Sequence, residues 1–214
     1  DFTQLSYGER HHEYQVTLRP WFWFLSRTAD CRVYQNMTVQ EIFDSLARER
    51  GFSDFRFALK SSYKKLAYCV QYRETAFNFL SRLLEQEGIY YYFEHTEQKH
   101  TMVLLDDAAS HKEIAGYAKV PYYPPSLPET RRVRDHLTSW THVRTVQPGS
   151  YATTDYDFKK PATSLLKSHA IKRQHAAASF EIFDYPADLP AKRDDDGAAL
   201  EDSAESARIA KIRI

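Results

Sequence analysis

The sequence predicts an α+β protein, mainly β with two to three short helices, from three observations. Two apolar stripes of helical period, each bracketed by its own start and stop signal, lie at 39–50 and 76–87. Around them run short segments that alternate apolar and polar residues, the period of half-buried strands. A stretch carrying four prolines, from Pro121 to Pro128, then separates these elements from a second set of short strands.

The elements follow in order. Glu13–Leu18 places Tyr14, Val16 and Leu18 on one face of an opening strand. Trp21–Phe24 sets four aromatics in succession, more than one face of a strand can bury, so a second layer is expected to cover them. Core and inter-element packing is the reading for that run, with a carbohydrate-stacking platform as the alternative. Thr38-Val-Gln-Glu41 is a capping box, and Val39, Ile42, Phe43 and Leu46 follow at helical spacing before Gly51. Phe55, Phe57 and Leu59 alternate, Leu66–Gln71 forms another strand, and the turn between them suggests a hairpin. Thr75 caps the second helix, whose stripe is Phe77, Leu80, Leu83 and Leu84 and whose stop is Gly88. Ile89–Phe93 and Thr101–Leu105 flank a polar tip and read as a hairpin. Beyond the connector, strands are expected in 133–146, 151–158 and 180–185. An acid-rich start at Asp194–Asp196 and a basic end at Arg208, Lys211 and Arg213 mark a C-terminal helix.

Composition removes several function classes. Lysine plus arginine and aspartate plus glutamate number 29 each in 214 residues, so no net field draws the chain to nucleic acid or to an anionic membrane surface. Six scattered glycines build neither a dinucleotide fingerprint nor a P-loop. The longest wholly apolar run, Trp21–Leu25, is far below the roughly 18 residues of a spanning helix, so no stable membrane insertion is expected. Cys31 and Cys69 have no nearby ligand pair and read as buried thiols of a reducing compartment. The chain lacks an initiating methionine and opens in strand, so it reads as a fragment in which no signal peptide can be judged.

No catalytic signature emerges, and no catalytic, cofactor or metal site is assigned. His12-Glu13 would need a histidine at position 16, which is Val, to make a zinc-binding helix face. His95, Glu97 and His100 share a hairpin tip but read as a solvated loop rather than a metal site. The carboxylate pairs at Asp106-Asp107 and Asp194–Asp196 lack the burial that separates an acid from a base. No serine sits in a nucleophile elbow, and Cys69 lies in a strand as a small hydrophobe.

Four blocks carry a family resemblance: Tyr14-Gln-Val-Thr-Leu-Arg-Pro-Trp21, Cys31-Arg-Val-Tyr-Gln35, Tyr68-Cys-Val-Gln-Tyr-Arg-Glu74, and Phe79 through Phe93 with its run Gly88-Ile-Tyr-Tyr-Tyr-Phe93. Lys99–Leu105 and Phe180-Glu-Ile-Phe-Asp-Tyr-Pro186 extend them. In this order the blocks resemble VgrG, the spike protein family of type VI secretion, similar to the hubs of contractile-phage baseplates. The resemblance implies β-barrel-like tube domains flanking an α+β insert. Residues 1–29 would be the end of a truncated first tube domain, 30–110 the insert, 111–130 the Pro-rich connector, 131–190 the second tube domain and 191–214 the C-terminal helix. It also implies a cofactor-free, non-enzymatic homotrimer whose ring caps the Hcp tube, with a downstream needle, effector proteins and baseplate components as partners. Such a hub is assembled in the bacterial cytoplasm and then carried out by the secretion system. A contractile-phage or prophage tail hub is the alternative, and a cell-wall glycan-binding or hydrolytic module a more distant one. For the subunit contacts the candidates are Trp21, Phe22, Trp23, Phe24, Tyr90 and Tyr92, with a plain core role expected for about half of these aromatics.

Overall fold

A computed structural model describes residues 1–7, 11–124, 135–156, 161–185 and 203–213. The chain opens with β1 (Phe2–Tyr7) and β2 (His12–Val16), paired antiparallel as a two-stranded ribbon with Phe2 opposite Val16. The aromatic run then winds into a 3-10 helix over Trp21–Arg27, with Pro20 at its N-cap. In a strand neighbouring side chains point to opposite faces; in a 3-10 helix residues three apart align. Phe22 and Leu25 therefore share the inner face, and the second layer expected over a flat strand is replaced by a turn that sorts the aromatics by direction.

Next come β3 (Ala29–Tyr34), α1 (Val39–Glu49), β4 (Phe55–Phe57), β5 (Cys69–Thr75), α2 (Ala76–Gln86), β6 (Tyr90–His95) and β7 (His100–Leu105). The capping box of α1 is complete: Thr38 Oγ1 accepts from the Glu41 amide at 3.2 Å, and the Glu41 carboxylate accepts from the Thr38 amide at 2.7 Å. Thr75 Oγ1 accepts from the Asn78 amide at 3.1 Å at the start of α2. Gly51 and Gly88 follow the two helices with φ of +84° and +71°, the left-handed region where a Cβ is strained. The stripe of α2 centres on Phe79, Leu80, Leu83 and Leu84, all buried, while Phe77 is half-buried at its edge.

The hairpin expected between the strands near 55 and 70 does not form. β4 instead pairs parallel with β7, and β5 pairs antiparallel with β3, so the sheets are β4-β7-β6 and β3-β5. Asp106, just past β7, explains the diversion. Its carboxylate accepts from the amides of Lys60 and Ser61 at 2.8 and 2.7 Å and from the Tyr63 hydroxyl at 3.0 Å, holding the chain that leaves β4 beside the end of β7. Phe43, Phe79, Ile42, Leu46, Leu80, Met102 and Leu104 fill the space between the helices and these strands as one cluster. Each such side chain contributes about 1.5–3 kcal/mol by leaving water.

Past the short 3-10 turn Ala108–Ser110, residues 111–124 hold no helix or strand. The expected strand 133–146 is also not formed among the described residues 135–146, which make only an isolated bridge between Leu137 and Tyr122. The Leu137 amide donates to the Pro121 carbonyl and its own carbonyl accepts from Tyr123, so the segment folds back on the connector; without a ladder partner, alternation alone makes no strand. A second sheet joins β8 (Ser150–Thr153), β9 (Lys167–Ala170) and β10 (Glu181–Asp184) in the order β10-β8-β9, with β10 parallel and β9 antiparallel to β8. Helix α3 (Ser203–Arg213) packs Ile209 and Ala210 inward, and its Arg208 pairs with Glu87 at 2.8 Å beyond the end of α2. The acidic run Asp194–Asp196 lies outside the described residues. Among the described residues every sheet is open.

Candidate interaction surfaces

The 3-10 helix divides the candidate aromatics between core and surface. Trp21 is buried: its ring stacks on Phe52 at 4.8 Å, its Nε1 donates to the Asp54 carbonyl at 3.2 Å, and its amide donates to His100 Nε2 at 2.9 Å. Phe22 is buried against Phe77 and Tyr91, with ring centroids 4.9 and 5.2 Å away. Phe24, by contrast, is 53% exposed. Trp23 is half-buried and has two guanidinium groups over its ring, Arg27 at 4.2 Å and Arg19 at 5.2 Å from its centre. It lines, with Arg19, Pro20, Phe22, Phe77, Tyr91 and Phe93, a groove of about 140 Å³.

In β6 the period of two splits the tyrosine run. Tyr91 joins the core side with Phe22 and Phe93, while Tyr90 and Tyr92 lie on the other face, both against the His111 ring. The Tyr90 hydroxyl donates to the Asp107 carbonyl at 3.1 Å and lies 2.9 Å from His111 Nε2; Tyr92 donates to Glu94, which also holds Arg56 at 2.6 Å. Tyr90 and Tyr92 are thus half-buried and fixed by polar partners.

Residues that could carry chemistry are occupied structurally. His100 Nε2 receives the Trp21 amide, which requires its lone pair, and its ring stacks on His95 at 5.8 Å. Among the described residues no group of three histidine, cysteine or acidic side chains is placed to hold a metal. Asp106 and Asp107 anchor the chain at Lys60, Ser61 and Tyr63 rather than facing a cavity together, and Lys60 also pairs with Asp107. Both cysteines are free thiols; Cys31 is exposed, and burial pushes the thiol of Cys69 up.

Sequence reasoning missed the larger apolar surfaces. On the ribbon, Phe2, Leu5, Tyr14, Val16 and Leu18 are all exposed, Leu18 at 87%, with Phe2 and Tyr14 stacked at 5.2 Å. On the distal sheet Phe180, Ile182, Phe183 and Tyr185 are exposed, as are Trp140, Val143 and Val146 before it. Alternation marks a strand face as apolar and is silent on whether anything covers it. No helix among the described residues is long and apolar enough to cross a membrane.

Comparison with known proteins gives these surfaces a setting. Two Pseudomonas aeruginosa proteins, the type VI secretion system spike proteins VgrG1c and VgrG1a, are 52% and 51% identical over 181 residues, 85% of this chain. The actin cross-linking toxin VgrG1 of Vibrio cholerae is 33% identical over 93% of the chain. The chain spans about a quarter of the length of the Pseudomonas proteins, 25% and 28%, and 18% of the Vibrio one. A solved structure of the E. coli c3393 protein, described as a component of the type VI secretion system with structural similarity to the T4 bacteriophage tail proteins gp27 and gp5, aligns at a TM-score of 0.51. That alignment has 30% identity and covers 59% of this chain and 35% of that one. The phage tail baseplate hub (GPD) family matches residues 1–214. With spike proteins as its relatives and a tail-hub-like protein as its structural neighbour, the chain belongs to the phage tail baseplate hub family.

Proposed function

We propose that this chain is a structural, non-enzymatic part of a type VI secretion spike: the hub at its base, which associates as a homotrimer, sits on the Hcp tube and carries a downstream needle and effectors into a target cell. It would assemble in the bacterial cytoplasm with baseplate components and leave with the spike. The observation that carries this reading is the family match over all 214 residues together with 52% identity to a protein named as a spike. The exposed apolar residues of the ribbon, with Phe2 stacked on Tyr14, support it physically, because clustered apolar surface marks protein–protein contact. A closed cyclic trimer would use one such patch three times without open-ended growth. The subunit contact is assigned to Phe24 and the outer edge of Trp23, to Tyr90 and Tyr92, and to the ribbon, with Trp21 and Phe22 supporting them from the core.

Light-scattering mass across a concentration series tests this on the 25.1 kDa chain. A stable mass near three chains is expected, and Phe24→Glu should lower it without altering the far-UV spectrum. A monomer at every concentration, both alone and when extended by the downstream needle, would remove the hub reading.

A further inference from the structure

Several arginines among the described residues are held by carboxylates. Arg32 with Asp30 and Glu49, Arg48 with Asp44, Arg56 with Glu94 and Arg82 with Glu74 all lie within salt-bridge distance. Arg19 and Arg27 differ. Both are exposed, both stack on Trp23, and among the described residues neither has a carboxylate partner. A guanidinium whose face rests on an indole keeps its in-plane N–H donors free, in the fork geometry that takes a carboxylate through two hydrogen bonds. Stacking also restricts the long side chains, so less conformational freedom remains to be lost when an anion binds. The groove beside Trp23 adds an apolar requirement: Phe77, Tyr91 and Phe93 line a space of about 140 Å³, the size of one ring-bearing side chain, and aromatic rings in such a wall favour an edge-on partner ring.

We propose that Arg19, Arg27 and the adjoining groove form a docking site for an acidic peptide segment that inserts one aromatic side chain. The aromatic residue fills the groove between Pro20 and the Phe77–Phe93 wall, and carboxylates flanking it in the peptide take the free edges of the two guanidinium groups. Charge complementarity selects this occupant: Arg19 lines the apolar slot and Arg27 lies over the adjoining Trp23 ring, neither with a carboxylate partner among the described residues, so the pair rejects basic segments and leaves purely apolar ones without a partner for the charge. A protein with no net charge has no wider field to attract a polyanion, which favours a peptide over a nucleic acid. The site borders the proposed trimer contact at Trp23, and the two are told apart by their readouts: peptide binding reports this site and mass reports the trimer.

The test uses the full chain and a dye-labelled peptide, acetyl-Asp-Glu-Phe-Asp-Asp-amide, followed by fluorescence anisotropy. Saturable binding is expected in the micromolar to sub-millimolar range, weakening as salt rises. Replacing the peptide phenylalanine by serine, or its acids by lysine, should each weaken binding about tenfold or more. Arg19→Ala with Arg27→Ala should do the same while mass and melting temperature stay unchanged, since both side chains are exposed and neither has a carboxylate partner among the described residues. No saturation at millimolar peptide, equal affinity for the serine peptide, or full binding by the double variant would each overturn the site. Tighter binding of oligo-dT through the same two arginines would reassign it to nucleic acid and overturn the peptide reading.

Discussion

The helical body around α1 and α2 and the ribbon β1–β2 carry apolar residues in the same kind of pattern, yet one encloses them and the other does not. Ile42, Phe43, Leu46, Phe79 and Leu80 are fully buried, whereas Tyr14 and Val16 on the ribbon are about half exposed. The difference is one of layers. Each helix of the body has a sheet and a second helix to lie against, while a two-stranded ribbon has two faces and nothing of its own to put on either. The body therefore covers its own apolar faces, and the ribbon leaves its apolar residues exposed.

The sharpest way to break this comparison is to delete equivalent methylene groups from both regions. Phe79→Ala removes a ring that stacks on Tyr34 at 5.4 Å and lies fully inside the core, and should cost about 3–5 kcal/mol. Val16→Ala, on the ribbon, should stay within about 0.5 kcal/mol. Urea unfolding of both variants measures the contrast; a ribbon substitution as costly as the core one would mean that the ribbon already buries its face in the isolated chain.

The distal sheet stands between these extremes, and Gly149 shows why. Its amide donates to the Phe180 carbonyl at 3.0 Å and its carbonyl accepts from Ile171 at 2.8 Å, so it knots β8 to both neighbours at one point. A Cβ there would lie 2.1 Å from the Ala178 carbonyl oxygen, a backbone atom that cannot swing aside. Gly149→Ala should cost about 1–3 kcal/mol, all of it in this sheet. Hydrogen exchange should show protection lost at 150–153 and retained in α1 and α2; loss in both places would mean that sheet and body unfold as one unit.

The legible parts of the fold were those whose determinants are local. Thr38 and Glu41, Thr75, Gly51 and Gly88 fixed both helices because each cap is satisfied within a few residues of itself. Strand pairing was legible only for β6 and β7, joined by a short tip; the partners of β4 and β5 are distant in sequence, and for β4 the contacts of Asp106 with Lys60, Ser61 and Tyr63 hold the chain beside the end of β7. The aromatic run was legible as a surface-and-core element but not as a 3-10 helix, since four consecutive rings have no period to read. Of the interface candidates, Phe24 could be separated from Phe22 only by that turn. The two arginines over Trp23 carry no sequence motif; that no carboxylate among the described residues pairs with them is a fact of three dimensions.

The smallest expected effect concerns the contact that diverts β4 from a hairpin. Desolvation acts to raise the carboxyl of Asp106, but the amides of Lys60 and Ser61 and the hydroxyl of Tyr63 outweigh it and hold the group at about 2. In the unfolded chain an aspartate titrates near ~3.9. The folded value is the lower one, so the contribution is complete above about pH 4 and is lost as pH falls toward 2. On the alkaline side burial, followed by the same carboxylate, raises the Tyr63 phenol; that contribution holds up to about pH 10 and is lost above it. Melting temperature should therefore be flat from this source between those limits and fall on either side. Asp106→Asn keeps one acceptor and loses the charge, so its acid limb between pH 4 and 2 should be shallower than that of the parent chain. Identical acid limbs would mean that this carboxylate does not hold β4 beside β7, and the parallel pairing would then rest on Phe55, Phe57 and the apolar face of β7 alone.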